Sequence, residues 1–144
     1  MDYRVFGDTC YIRMDKGDEI ISSLLGVCER EGIRSATFMG IGGCGSAQIQ
    51  VFDPDAGTFS TQSYEGVLEL VSLMGNVVDG AQDGIFWHAH ALFSFRDGDD
   101  HRMAAGHLKE ATVLYTAEIE LRPVAGGVIG SAPDPVTGTR FWAF

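Results

Sequence analysis

Apolar residues keep a helical spacing over one long stretch of this chain. Ile20, Ile21, Leu24, Leu25, Val27 and Cys28 fall on one face of a 3.6-residue repeat, while Ser22, Ser23, Glu29 and Arg30 fall elsewhere. Asp18 stands where an N-cap belongs, and Glu19 suits the first turn. Gly32 suits the left-handed residue that closes a helix. The pattern predicts one long helix over residues 18–31, its apolar stripe packed into a core. Elsewhere the period is two. Tyr3 to Met14 reads as an opening strand or hairpin arm, and Ser35 to Met39 as a short buried strand. Ala47–Phe52 and Thr58–Tyr64 flank Asp53-Pro54-Asp55-Ala56-Gly57, turn chemistry that makes them a hairpin. Val67 to Met74 is a further strand, started by Gly66 and closed by Gly75-Asn76. Gly84 to Phe95 and Ala111 to Arg122 complete the set, the latter placing Ala111, Val113, Tyr115, Ala117, Ile119 and Leu121 on one face and Thr112, Thr116, Glu118 and Glu120 on the other. Several antiparallel strands with one long helix predict an α+β fold.

Two segments resist a simple pattern. Gly40-Ile41-Gly42-Gly43-Cys44-Gly45 follows a strand and invites a phosphate-cradle reading. Such a cradle opens into a helix, however, and the residues from Ser46 to Phe52 alternate as a strand; a P-loop lysine is absent too. The glycines read instead as a bend between strands where backbones approach closely. Ala125 to Pro135 reads as a flexible connection, and Thr139-Arg140-Phe141-Trp142-Ala143-Phe144 is too aromatic to float. That tail is expected to pair as a last strand or to cover a subunit contact.

The chain has 144 residues and reads as one domain over 1–144, with no internal repeat. Ten basic residues, two of them lysines (Lys16 and Lys109), stand against twenty acidic ones, and the net charge is −10. That balance repels a phosphate backbone, so DNA is not expected as a partner. Cys10, Cys28 and Cys44 are odd in number and widely spaced, as reduced thiols of a cytoplasmic protein would be. No signal peptide is visible, and no run approaches the ~18 apolar residues that cross a bilayer.

Candidate chemistry gathers in the strand over Gly84 to Phe95. All four histidines lie between residues 88 and 107, and three of them, His88, His90 and His107, are the candidates. His88 and His90 alternate in step, so both imidazoles leave the same face of a strand and can share one ion. His107, in Gly106-His107, supplies a third nitrogen from the next connection. Three neutral imidazoles with open positions suit a catalytic divalent metal, zinc above others. His101, within the charged run from Arg96 to Arg102, reads as part of a solvated loop. Glu69 shares its strand face with Val67, Val71 and Leu73, where a carboxylate must be paired, must ligate metal, or must reach water at an edge.

The order of a helix, Gly40-Ile41-Gly42, Phe52-Asp53-Pro54, Leu68 to Leu73 with Gly75-Asn76, His88-Ala89-His90-Ala91, Gly106-His107-Leu108 and Thr116-Ala117-Glu118 resembles the PPC (plants and prokaryotes conserved) domain. The resemblance runs from Val5 to Leu121, leaving 123–144 as a C-terminal extension. It implies antiparallel sheets with one helix, a homotrimer, and metal on the histidines that match His88, His90 and His107. Where the family has Gly-Gly-His-Leu the chain has Ala105-Gly106-His107-Leu108, and where plant members have Gly-Arg-Phe-Glu-Ile it has Gly66-Val67-Leu68-Glu69-Leu70. The AT-hook core Arg-Gly-Arg-Pro is missing, in keeping with the charge. A more distant similarity, to α-acetolactate decarboxylase, implies a zinc site with glutamate partners and makes Glu69 the candidate catalytic carboxylate. Two functions follow as expectations: a metal-dependent lyase or hydrolase acting on a small carbonyl or ester ligand, or a non-catalytic trimeric ligand-binding or regulatory module. The apolar tail and the apolar strands beside the histidines exceed what one small core hides, and the PPC resemblance implies the closed form that would hide them, so a homotrimer with each metal site in or beside a cleft between subunits is expected.

Overall fold

The computed structural model describes residues 1–136 and 139–144. Strands β1 (Asp2–Phe6) and β2 (Thr9–Asp15) form a hairpin, so the opening segment supplies both arms. Helix α1 (Ile20–Glu31) follows, then the long strands β3 (Ala36–Asp53), β4 (Thr58–Asp79), β5 (Ile85–Asp97) and β6 (Asp100–Pro123). The short strands β7 (Gly130–Pro133) and β8 (Arg140–Ala143) end the chain. All pairings are antiparallel except one β4–β7 rung, Asp79 with Gly130. Among the described residues the fold is antiparallel sheet with one α-helix, and no helix is long and apolar enough to cross a membrane.

The helix packs its predicted stripe inward: Ile20, Ile21, Leu24, Val27 and Cys28 are buried. Each such side chain stabilises the fold by about 1.5–3 kcal/mol relative to exposure. Gly32 closes the helix at φ 64°, its N–H reaching the Cys28 and Glu29 carbonyls. The cap differs from expectation. Glu19, not Asp18, accepts from the Ile21 and Ser22 N–H groups, and its Oε1 also accepts from Ala111 N–H at 3.3 Å. A longer side chain can thus cap the helix and hold it to β6 together. Asp18 is engaged elsewhere, accepting from Asp15 N–H at 2.8 Å.

The strands are longer than the alternation predicts because glycines that read as breaks are bulges. Residues 36–53 form one strand through the whole glycine run, with register shifts at Gly40/Gly42 and Cys44/Ser46. Close approach is the part of the reading that holds: a Cβ on Gly42 would lie 2.6 Å from the Thr116 carbonyl oxygen. In β4 the expected breaks at Gly66 and Gly75-Asn76 are likewise crossed, and a shift at Leu70/Ser72 turns Leu73 inward while Val67, Glu69 and Val71 stay exposed. Tyr115, expected with the buried face of its strand, is exposed beside Gly43, where β6 carries extra residues between the Cys44–Val113 and Gly42–Ala117 pairings. His101 lies in β6 opposite Arg96, just past the tight Gly98-Asp99 turn, rather than in a loop. Part of the expected flexible connection is β7, and the tail pairs with it as β8.

Order along the sheet is β1-β2-β6-β3-β4-β7-β8, and β5 pairs with both β4 and β6. Strands β3, β4, β5 and β6 therefore close a circuit. Phe38, Leu68, Leu70, Leu73, Phe93, Leu108 and Leu121 from these strands are all buried, in one core with the helix stripe. The three cysteines are free and buried. Burial pushes the Cys28 and Cys44 thiols up to about 11, which keeps them protonated and unfit as metal ligands.

A three-histidine candidate metal centre

β5 and β6 pair from Asp97 and Asp100 up to His90 and His107, and there they part. β6 goes on to pair with β3 through Leu108 and Glu110, while β5 stays on β4. The three histidines stand at this fork. His88 and His90 leave the outer face of β5, as alternation requires, and His107 meets them from β6. The local path of β6 depends on Gly106: its φ is 155°, and a Cβ there would lie 2.6 Å from the Gln50 carbonyl oxygen. Glycine alone permits β3 that close, and so fixes where His107 projects.

One ligand nitrogen from each ring falls within 4.8 Å of the other two. Ring centroids are 4.3 Å apart for His90 and His107, 4.9 Å for His88 and His107, and 5.0 Å for His88 and His90. His88 Nε2 and His107 Nδ1 share a hydrogen bond of 3.0 Å. Burial holds both rings below the ordinary imidazole pKa, and the neighbouring histidines push the same way. Neutral imidazoles are what a metal requires. The donor set fits a divalent cation, which can take the place of the proton shared by His88 and His107.

Two hollows flank the triad. The smaller, about 270 Å³, is lined by His88 and His107 with Gln50, Phe59, Trp87 and Lys109. Phe59 stands edge-on to His107 at 5.0 Å. The larger, about 480 Å³, runs across the outer face of the sheet. Two cross-strand rows make its floor: His88, Asn76, Thr37 and Arg122 in one, His90, Met74, Met39 and Glu120 in the other. Trp142 of β8 closes one side, donating from Nε1 to Asn76 Oδ1 at 3.4 Å.

The structure brings together His88, His90 and His107 as expected and leaves Glu69 apart. Glu69 pairs with Gly43 and Ser94 and borders a different hollow with Ile41 and Tyr115. Glu120 and Arg122 share the cavity of the triad instead. Alternation had put Glu120 on the outer face of its strand. Its alignment with His90 depends on register across three intervening pairings, which no local pattern encodes.

Comparisons with known proteins agree with this architecture. The profile of the Plants and Prokaryotes Conserved (PCC) domain matches residues 1–125. A protein of Archaeoglobus fulgidus described as a Metal-containing Protein is 29% identical, with a TM-score of 0.83 over 99% of this chain and 97% of that one. A plant- and prokaryote-conserved (PPC) protein of Pyrococcus horikoshii is also 29% identical, with a TM-score of 0.80 over 99% and 95%. A Bacteroides thetaiotaomicron protein carrying a provisional DNA-binding label shares the fold at a TM-score of 0.87, 22% identity, and 99% and 96% coverage. No curated protein matches the chain.

Proposed function

The chain belongs to the Plants and Prokaryotes Conserved domain family, and from that premise we propose that it is a metal-dependent protein for a small carbonyl- or ester-type ligand. The observation that carries this reading is the triad itself. Three histidine nitrogens converge, the group of possible ligands among the described residues ends at three, and cavities open on both sides. A three-ligand set leaves positions for a ligand, as catalytic rather than structural zinc sites do.

His88, His90 and His107 would hold the ion, zinc by preference. When bound, it supplies Lewis acidity toward an oxygen of the ligand. Everything else falls to the chain. Trp142 walls the cavity on one side, and Met39 and Met74 give its floor an apolar part. Glu120 is the carboxylate this chain presents there, and so the one placed to accept a proton from a bound ligand. Glu69 would serve as proton carrier only for the triad of a neighbouring copy.

The assembly we propose is a homotrimer. Support comes from the outer sheet face, where Met39, Ile41, Val67, Val71, Met74 and Tyr115 are all exposed, Ile41 to 57% and Met74 to 59%. Tyr11, Met39, Ile41, Val71 and Glu118 line a hollow of about 650 Å³ on it, next to the cavity of the triad. A closed ring hides such a face without leaving an open end. Three free, buried cysteines fit a reducing compartment, so a cytoplasmic location is proposed with it.

A second reading, a ligand-binding trimer without catalysis, draws on one observation. The carboxylate expected to move protons, Glu69, borders another hollow. Elemental analysis of the purified protein tests the metal centre: one zinc, or another borderline cation, per chain is expected. A chain that takes up none from excess zinc ends the proposal. Turnover of simple esters and 2-oxo acids by the loaded protein then separates the two readings.

A further inference from the structure

We propose that Arg122 is the anion anchor of the triad's cavity, and that the ligand is a two-ended acid with a carboxylate at Arg122 and an oxygen donor toward the histidines. This rests on the metal-centre reading above and names the ligand class it takes.

The argument starts from where the cations are. Ten basic side chains serve a chain of net charge −10. Among the described residues, Arg4, Arg13, Arg34, Arg96 and Arg102 are ion-paired with aspartates. Arg30 lies over the Tyr3 ring, and Arg140 over the Phe86 ring while bonded to Ser131. Lys16, Lys109 and Arg122 remain without such a partner. Two of these three border the triad: Arg122 in the larger hollow and Lys109 in the smaller. An acidic protein thus leaves two of its three uncommitted positive charges beside its candidate metal centre.

Geometry then shapes the ligand. Arg122, Thr37, Asn76 and His88 form one continuous row across β6, β3, β4 and β5. Three strand spacings of ~4.8 Å set the two ends roughly 14 Å apart at the backbone. The reach of the arginine, and of an ion standing off the imidazoles, shortens that gap to the span of a short chain molecule. Thr37 and Asn76 lie between the two ends, with Met39 and Met74 beside them in the next row, so the middle of the ligand runs along an apolar side and needs no charge of its own. Glu120 ends the adjacent row on the same strand as Arg122 and makes no ion pair with it among the described residues; its charge disfavours a second negative group at that end. The guanidinium fork matches a carboxylate in two parallel hydrogen bonds.

Calorimetric titration of the zinc-loaded protein with adipate and with hexanoate tests this. The two probes have equal chain length and differ in the second carboxylate. Adipate is expected to bind at least tenfold tighter than hexanoate. Arg122→Gln is expected to remove that advantage, and Arg122→Lys to restore part of it, with zinc content unchanged in both. Arg122 is exposed, so neither change disturbs the core. Adipate binding within twofold of wild type in Arg122→Gln, or none at all to the wild type, overturns the anchor. Inorganic phosphate that binds tighter than adipate, and through Arg122, overturns the carboxylate class. Elemental analysis of the same samples keeps the premises apart. Zinc present without Arg122-dependent binding sinks the anchor alone, whereas a wild type that holds no zinc sinks the centre and the two-ended ligand together.

Discussion

His90 and His107 face one another across the last rung that β5 and β6 share. Beyond it the strands separate, so the point where sheet pairing fails is the point where the rings gather. His88, one pleat further along β5, projects into the opening and completes the set. The centre therefore depends on strand divergence as much as on histidines.

Replacing His88 and His90 together by alanine should empty the metal site while leaving the fold intact, because both side chains are exposed. Elemental analysis is expected to fall from one ion per chain to near zero, with an unchanged far-ultraviolet spectrum. A double variant that keeps stoichiometric metal refutes the assignment.

Gly106→Ala should cost about 1–3 kcal/mol of stability. The new methyl meets the Gln50 carbonyl, and the backbone sits at a φ that suits only glycine. Because the displaced residue adjoins His107, metal affinity should drop as well. Urea denaturation and a zinc titration of the same variant check the two effects separately.

Without metal, the protein should lose stability as the solution is acidified below about pH 6.5, the ordinary imidazole value. The folded-state pKa values of His88 and His107 are lowered, burial being the main cause. In that window the unfolded chain binds more protons than the folded one, so the equilibrium shifts toward unfolding until the pH passes the lowered values. Thermal midpoints of the apo protein at about pH 7.5 and 5.5 should differ. The His88→Ala, His107→Ala pair should narrow the difference, and an equal slope in that variant would count against the linkage.

No useful affinity for duplex DNA is expected at physiological salt, given the charge of −10 and the absence of an AT-hook. A salt-sensitive submicromolar mobility shift with this chain alone would contradict it. The mass in solution should be three times 15.5 kDa by light scattering. A monomer at micromolar concentration would remove the ring.

How much of this was legible beforehand depends on the range over which each feature is encoded. The helix stripe from Ile20 to Cys28, the Asp53–Gly57 turn and the convergence of His88 with His90 are local, and all are found. Strand lengths are not local. Gly66 and Gly75 look like stops, yet whether a glycine ends a strand or lets a neighbour press close depends on what lies across the sheet. A bulge also resets alternation, which is why Leu73 changes sides; at Tyr115 the extra residues of β6 opposite the Gly42/Cys44 shift lift one side chain out while Val113 and Ala117 stay buried in phase. The carboxylate beside the triad could not be picked from sequence, because Glu120 reaches the row of His90 only through two intervening strands.

The tail offers a last consequence. β7 and β8 join the rest of the sheet through a single rung, Asp79 with Gly130, helped by Ser35 bonding Ile129 N–H and by the contacts of Arg140 and Trp142. In the circuit of β3 to β6, by contrast, His90 and His107 lie on strands paired on both sides. Amide exchange should therefore divide the molecule: the tail exchanges through brief local openings, and the circuit only through global unfolding. Trp142 belongs to the first unit and the histidines to the second, so the side of the larger cavity that Trp142 lines is expected to loosen with the tail. The ligand nitrogens themselves stay fixed by the slowest part of the protein.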